Sequence, residues 1–150
     1  MLNKYFLFMS EFKYFLWLLR LNLFFVINWS EMNIEQIQKY CRKKEEVTES
    51  FPFDDETLVF KVANKMFCLA NLIHPISINL KSNPEKAIEL REQFSEVIPG
   101  YHMNKIHWNT IMLDGSLSDS QIKEWIDDSY SLVVNNLPKK VKEKINVISN

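Results

Sequence analysis

The segment Pro99-Gly-Tyr-His-Met-Asn-Lys-Ile-His-Trp-Asn-Thr-Ile-Met-Leu-Asp-Gly115 decides how this chain of 150 residues is interpreted. Gly100 and Gly115, at its two ends, are the only glycines in the chain, and His102 and His107 between them are two of its three histidines. A chain with so few glycines needs each one where the backbone turns left-handed or approaches another strand closely. The segment therefore predicts a tightly turned hairpin.

The same scarcity of glycine excludes several large enzyme classes. Neither a dinucleotide-binding G-x-G-x-x-G nor a phosphate-binding G-x-x-x-x-G-K-[ST] can be written with two distant glycines. The sequence also lacks the G-x-S-x-G nucleophile elbow and the H-E-x-x-H zinc helix. The sequence therefore favours a binding protein over an enzyme, with no cofactor, no metal and no small-molecule substrate expected.

Composition is that of an ordinary folded protein, with 47% hydrophobic and 25% charged residues. The net charge is −1, so any binding to a polyanion must come from a local basic patch. Cys41 and Cys68 show no metal-ligand spacing and are too few for a disulfide framework. Buried free thiols in a reducing compartment are expected, which indicates a cytoplasmic protein.

Residues 1–31 differ from the rest because they hold half of the aromatic residues in the chain. Charged residues at positions 11, 13 and 20 interrupt the apolar run that a membrane helix needs. Three interpretations stay open for this hydrophobic leader: a helix on a membrane surface, a weak transmembrane anchor, or translated sequence upstream of the biological start. The last is favoured because Met32 opens a regular domain, residues 32–150, and a membrane partner is expected only if the leader is expressed.

Residues 33–81 predict one helix and then three strands. Asn33 and Gln36 form a capping box, and apolar residues at helical spacing extend the helix to about Glu46. Alternating apolar residues predict strands around residues 58–62, 66–71 and 76–81. Asn64 tolerates the left-handed conformation, so a tight turn is expected between the first two strands.

Residues 84–145 predict three helices and a second hairpin. Pro84 begins a helix with an apolar stripe that runs to Val97, Ser118 and Gln121 cap the longest helix, and Pro138 precedes a short basic one. Residues 101–104 and 107–113 are predicted to be extended. The resulting order is α-β-β-β-α-β-β-α-α. Without β-α-β crossovers, it predicts an α+β fold with helices packed on an antiparallel sheet.

A family resemblance rests on motifs that follow one another through residues 33–145. The quoted segment, and above all Pro99-Gly-Tyr-His-Met-Asn-Lys105 with His107-Trp-Asn-Thr110, resembles the MmcQ/YjbR family. Phe51-Pro-Phe53, Val59-Phe-Lys-Val62 and Leu113-Asp-Gly115 extend the match. The resemblance implies a small cytoplasmic protein with a fold similar to type III secretion chaperones and frataxin-like sheets. It also implies DNA binding, with β-hairpins acting as a double wing.

The chain departs from the family pattern at two positions. Asp54 stands where the family has Gly after F-P-F, and Asn64 stands where it has Gly before Lys65. Both residue types suit turns, so the fold is expected to be kept. The acidic run Asp54-Asp55-Glu56 adds negative charge near the first hairpin, and we expect it to repel a phosphate backbone there.

Binding to DNA requires cations for the phosphates and polar side chains for sugars or base edges. Residues 33–150 carry a net charge of about −2, so binding should be weak and sensitive to salt. Trp108 and Trp125 are expected in the core, and Tyr101, Trp108 and Ile111 are expected to anchor the hairpin. The candidate contacts are the basic and polar residues on the predicted hairpins and strand ends: Lys61, Lys65, Lys81, His102, Asn104, Lys105, His107 and Asn109.

Other interpretations compete with DNA binding. His102 and His107, with Asp114 or Tyr101, could serve as acid–base groups, but no nucleophile stands at a matching spacing. A metal site from His102, His107 and Cys68 would need three distant ligands to converge. A protein–protein interaction or chaperone-like module is the main alternative, because an antiparallel sheet can pair through a strand edge with a peptide or with itself.

Overall fold

The computed structural model describes residues 32–148, and side chains up to residue 145. The prediction for residues 1–31 lies outside this part of the chain. The described residues form an α+β fold, as predicted. None of the helices within residues 32–148 is long and apolar enough to cross a membrane. The elements are α1 (Ile34–Arg42), β1 (Val47–Ser50), β2 (Thr57–Val62), β3 (Lys65–Asn71), β4 (Ser77–Lys81), α2 (Pro84–Gln93), β5 (Val97–Pro99), β6 (Trp108–Met112), α3 (Asp119–Asn135) and α4 (Lys139–Ile148).

The six strands form a sheet in the order β1-β2-β3-β4-β6-β5, and every neighbouring pair is antiparallel. The first four strands follow each other as a meander. The tight turn predicted between β2 and β3 is confirmed, because Ala63 and Asn64 both have left-handed φ angles of 46° and 62°. β6 then pairs with β4 on one side and with β5 on the other, which places residues 108–112 of the quoted segment inside the sheet.

The predicted strand order lacks β1. The first helix ends at Arg42 instead of Glu46, and the polar sequence Val47-Thr-Glu-Ser50 forms an edge strand on β2. Glu49 on this strand accepts hydrogen bonds from Gln38 and Arg42 of α1. An edge strand whose side chains are mostly polar shows no apolar alternation, so the pattern gave no sign of it.

The second helix and the second hairpin also have different bounds from those predicted. α2 ends at Gln93, because Phe94 is already extended with φ −129° and ψ 119°. Val97 therefore belongs to β5, which pairs with β6 through Val97, Ile98 and Pro99. Residues 101–104, predicted as extended, form turns. The strand was placed too late because a buried Val97 fits both a helical and an extended pattern.

The main core lies between the helices and one face of the sheet. A bulge in β3 lets two consecutive residues, Phe67 and Cys68, face this core, since Phe60 pairs with Cys68 and Lys61 with Met66. The ring of Phe67 meets Tyr130 of α3 edge-on, at 5.4 Å between centroids. Trp125 is buried, as predicted, and packs edge-on against Phe94. Within residues 32–148, the helices therefore cover one face of the sheet only.

Candidate functional site

The face of the sheet that the helices leave uncovered, here called the open face, is ordered in rows across the strands. Residues paired in register point to the same side. One row runs through Ser50, Val59, Leu69, Asn79, Thr110 and Ile98. A second row, two residues farther along the strands, runs through Thr57, Asn71, Ser77 and Met112. Along the strands, Lys61 and Lys81 lie beyond the first row, on the side that is away from the second row.

Four predicted lysines lie at one end of the sheet, called the lysine end: Lys61, Lys65, Lys81 and Lys105. Lys61 is near the end of β2, Lys65 begins β3, Lys81 ends β4, and Lys105 precedes β6. Because neighbouring strands are antiparallel, the end of one lies beside the beginning of the next. Lys65 and Lys105 are exposed, and Lys61 and Lys81 are half-buried. The topology thus brings together cations that are up to 44 positions apart in the sequence.

The acidic run Asp54-Asp55-Glu56 lies at the other end of the sheet. It precedes β2, whereas the hairpin turn at Ala63 and Asn64 follows that strand. Six extended residues span about 20 Å, roughly two Debye lengths at physiological ionic strength. The expectation that this run opposes a phosphate at the first hairpin is therefore wrong. Asp54 instead caps its own turn, and hydrogen bonds from the backbone N–H groups of Glu56 and Thr57 lower the pKa of its carboxyl.

The loop between β5 and β6 folds back over the open face. Met103 of this loop packs on a small apolar cluster formed by Val59, Leu69 and Trp108. The Gly100 N–H donates to the carbonyl oxygen of Trp108 at 2.8 Å. A second apolar cluster under a loop is enough to hold it in place without a helix on that side.

Arg91 of α2 fixes the same loop from the other side. Its Nε donates to Asn109 Oδ1 at 2.6 Å, and its Nη2 donates to the carbonyl oxygens of Lys105 and Trp108. A planar guanidinium that binds three oxygens of one segment sets the orientation of that segment. Arg91 therefore determines where the exposed side chain of Lys105 can reach.

The structure separates the remaining predicted contacts. Asn104 and His107 lie near the lysine end; Asn104 is exposed and His107 is half-buried. His102 is exposed, and its ring lies beside the Tyr101 ring at 4.0 Å between centroids, with the two planes tilted by 57°. Asn109 is only 1% exposed, and its amide is used by Arg91 and by the Ala87 carbonyl oxygen, so its prediction as a ligand contact is wrong.

Two further expectations for the segment are corrected or confirmed. Trp108 and Ile111 are buried, as predicted for anchors, but Tyr101 is 69% exposed. Cys68 lies in the core on the helix side of the sheet, away from the exposed His102. Within residues 32–148, no three His, Cys, Asp or Glu side chains cluster as metal ligands would.

A groove lies on the open face, between the β1–β2 loop and the β5–β6 loop. Its volume is about 500 Å³. Phe53 stands on one side and Tyr101 and His102 on the other, while Asn79, Ser77 and Thr110 belong to the floor. The lysine end and this groove are therefore two distinct parts of the sheet.

A hydrogen-bond chain joins the wall of the groove to its floor. The Tyr101 N–H donates to Thr110 Oγ1 at 2.9 Å, and this hydroxyl donates to Asn79 Oδ1 at 2.6 Å. Since the Asn79 oxygen accepts from Thr110, its Nδ2 is the amide group left to donate into the groove. Asn79 is thereby oriented before any ligand arrives.

Comparisons with known proteins identify the family of this chain. A sequence profile of the YjbR family matches residues 42–132, which is more than half of the chain. The chain belongs to the YjbR family. Escherichia coli K12 YjbR is 38% identical over 113 residues, 75% of this chain and 96% of the relative. Escherichia coli O157:H7 YbdF is 35% identical over 96 residues, 63% of this chain and 79% of the relative.

Solved structures support the same fold. The crystal structure of Deinococcus radiodurans protein DR2400 superposes with a TM-score of 0.71 at 36% identity, covering 76% of this chain and 88% of that chain. A crystal structure of a Pseudomonas syringae protein gives a TM-score of 0.60 at 30% identity, covering 67% of this chain and 98% of that chain. The region that matches the YjbR family profile contains all six strands, the four lysines and the groove.

Sequence reasoning missed the groove of this YjbR family member. In the sequence, Asn79 is one residue of the strand predicted for residues 76–81, and Phe53 is one residue of the motif Phe51-Pro-Phe53. Asparagine is depleted in strands, so a central Asn79 is the one signal that could have drawn attention to the floor. The convergence of Phe53 and Tyr101, 48 positions apart, depends on the sheet order and could not be read from the sequence.

Proposed function

We propose that this protein is a non-enzymatic, cytoplasmic DNA-binding protein that contacts the phosphate backbone through the lysine end of its sheet. The observation that carries the proposal is the convergence of Lys61, Lys65, Lys81 and Lys105 at one end of four neighbouring strands. Phosphate neutralisation by lysine supplies most of the sequence-independent affinity of DNA-binding proteins. In this proposal, the two wings that the family resemblance implies are the β2–β3 hairpin, with Lys61 and Lys65, and the β5–β6 hairpin, with Lys105.

Local charge supports this proposal in spite of the negative net charge. The acidic run at Asp54 is about one strand length from the lysine end, so its field there is largely screened at physiological salt. Asn104 and His107 lie near the same end and can donate to phosphate or sugar oxygens. Four lysines predict a weak complex whose affinity falls steeply with salt.

The test compares the full chain with a double variant, Lys65→Glu/Lys105→Glu, by fluorescence anisotropy on a labelled duplex at 20–200 mM salt. Both side chains are exposed, so the fold should persist. We expect tenfold or greater weakening at low salt. Each lost phosphate contact lowers the slope of log K against log salt by roughly 0.9, and the two substitutions should therefore reduce it by about 2.

The matched control is Lys39→Glu/Lys123→Glu, which changes the net charge equally but lies on helices α1 and α3. Its binding should stay close to that of the unaltered chain. Equal weakening in both double variants would show that only overall charge matters. Absence of binding to any duplex at 20 mM salt would refute the proposal.

The alternative, a protein–protein interaction or chaperone-like module, is favoured by one observation. Within the part of the chain that the structure describes, the four-residue strand β1 pairs with β2 only, so the other side of its backbone is open to a further strand. Self-association through this edge would appear as a concentration-dependent mass in light scattering. Successive backbone N–H groups of a strand point to opposite edges, so one of the two variants Thr48→Pro and Glu49→Pro removes an outward donor, and that variant should abolish the self-association while the fold persists.

A further inference from the structure

We propose that the groove on the open face binds a planar nitrogen heterocycle, uncharged or cationic and about the size of a nucleobase. This inference is independent of the proposed DNA binding, because none of the four lysines lines the groove. It rests on the size of the groove, its exposed aromatic walls, its oriented polar floor and its charge.

The size of the groove suits a small molecule. Its volume of about 500 Å³ lies within the range of roughly 300–1,000 Å³ that is usual for small-ligand sites. The mixture of apolar residues (Leu69, Ile73, Met103) with a few polar groups is also typical of such sites. A heterocycle with an attached sugar would fit, whereas a folded peptide segment would not.

The walls of the groove offer aromatic faces. Phe53 is 64% exposed and Tyr101 is 69% exposed, although aromatic side chains usually gain several kilocalories per mole from burial. The backbone of Tyr101 is held by Thr110, and its ring lies beside the His102 imidazole at 4.0 Å between centroids. Exposed rings that border a groove are the groups on which planar ligands stack.

The floor of the groove can read the edge of a ring. Asn79 Nδ2 points its donor away from the Thr110 bond, and the Ser77 hydroxyl one row away can donate or accept. A ring with nitrogen and carbonyl groups on its edge satisfies both, while a purely hydrocarbon ring would leave Asn79 without a partner. The floor therefore selects a heterocycle.

Charge defines the ligand further. The residues that line the groove include the carboxylates of Asp54 and Glu56 and the imidazole of His102, and neither Lys nor Arg is among them. A phosphate inside the groove would face negative charge without a permanent cation. An attached phosphate must therefore stay outside. At the lysine end, Lys81 lies two residues from Asn79, about 7 Å along the strand. The ring can therefore belong either to a free molecule or to an unpaired base of a strand.

The test is a titration of the full chain, labelled with ¹⁵N, with adenosine, guanosine, cytidine and thymidine up to 10 mM. At least one nucleoside should shift the side-chain amide signals of Asn79 and the backbone amide signal of Tyr101. Tyr101→Ala should weaken that binding about 5- to 100-fold, the range of a lost base–aromatic stack. Tyr101→Phe keeps the ring and should bind within twofold of the unaltered chain.

The control is Ile106→Ala, which removes an exposed side chain of the same loop outside the groove and should not change binding. Dispersed amide spectra verify that each variant is folded. The inference is overturned if none of the four nucleosides shifts these signals, or if Tyr101→Ala binds as well as Tyr101→Phe.

The source of the ring is decided by repeating the titration with single-stranded oligothymidylate. If the ring belongs to a strand, the oligonucleotide binds more tightly than thymidine, and Lys65→Glu/Lys105→Glu removes the gain but leaves nucleoside binding intact. If the ring belongs to a free molecule, the nucleosides bind and the oligonucleotide gains nothing. Nucleoside binding without any DNA binding would support the groove and refute the proposed function.

Discussion

At the scale of single residues, the two glycines of the segment 99–115 serve different physical needs. Gly115 has a left-handed φ of 87°, which a residue with a Cβ adopts at a cost. Gly100 is needed for space: a Cβ there would lie 2.8 Å from both the Cβ and the carbonyl oxygen of Trp108. Each glycine was expected to allow either a left-handed turn or a close backbone approach. This is confirmed, because Gly115 allows the turn and Gly100 allows the close approach.

Gly100→Ala should destabilise the protein by about 1–3 kcal/mol, because the strand pair at Trp108 must move apart to admit a methyl group. Gly115→Asn, at a position where Asn tolerates the left-handed angle, should cost less than about 1 kcal/mol. Urea unfolding followed by circular dichroism measures both. A Gly100→Ala variant as stable as the parent would show that the close approach is not required.

Some residues of the site have roles that neighbouring sequence determines, and others have roles that depend on residues distant in the chain. The surface position of Lys65 could be predicted, since Lys65 directly follows the turn that Asn64 predicts. Asn109 and Tyr101 could not. Asn109 was expected at the surface because it is polar, but it is buried and bound by Arg91. Tyr101 was expected inside because it is aromatic, but Thr110 holds its backbone beside an open groove.

At the scale of elements, the hydrophobic period predicted strands β2, β3, β4 and β6 and the first three helices of residues 32–148, and Pro138 predicted the start of α4. β1 could not, because an edge strand with Glu49 bound to Arg42 buries too little apolar surface to leave a pattern. β5 has only three residues, fewer than a period-two pattern needs. Which strands adjoin each other was also beyond the sequence, since it depends on pairing between distant segments.

Helix α3 is joined to the sheet by one buried hydroxyl. Ser129 donates to the carbonyl oxygen of Phe67 at the β3 bulge and accepts from the backbone N–H of Lys81 at 2.9 Å. Ser129 itself is fully buried. One side chain therefore satisfies a backbone acceptor on β3 and a backbone donor on β4, where both strands reach the lysine end.

Ser129→Ala should destabilise the protein by about 1–3 kcal/mol, because both backbone groups lose their partner inside the core. Ser131→Ala, two residues along the same helix and exposed, is the matched control and should change stability by less than about 0.5 kcal/mol. Chemical denaturation measures the difference. Equal effects of the two substitutions would contradict a bridging role for Ser129.

At the scale of the whole molecule, pairs of charged and polar groups set the pH range of stability. Hydrogen bonds from Arg42 hold the pKa of Glu49 below its ordinary 4.5. Burial, and then the bond to Asp127, raise the pKa of Tyr40 from 10.0 to about 12. A carboxyl whose pKa is lowered in the folded protein stabilises the fold above its pKa in the unfolded chain and loses this effect as pH falls. A tyrosine whose pKa is raised in the folded protein stabilises the fold below pH 10 and loses this effect as pH rises.

Tyr40→Phe tests the alkaline limit. The Tyr40 hydroxyl donates to both oxygens of Asp127, at 2.9 and 2.8 Å, and links α1 to α3. The variant should be about 0.5–1.5 kcal/mol less stable at pH 8. The gap should narrow between pH 10 and 12, where Tyr40 would ionise in the unfolded chain first. Urea unfolding at pH 8, 10 and 11 measures it, and a gap that stays constant would contradict the pKa assignment.

The strand order described above also has a consequence for the route by which the protein folds. The meander β1 to β4 is closed by short connections, so its contacts have low contact order and can form early. β6 must then return to β4 across α2 and β5, since Asn79 pairs with Thr110, 31 positions away. Closing this long loop is the entropically expensive step. We therefore expect the groove, which is built across the β4–β6 seam, to be completed late in folding, after the meander has formed.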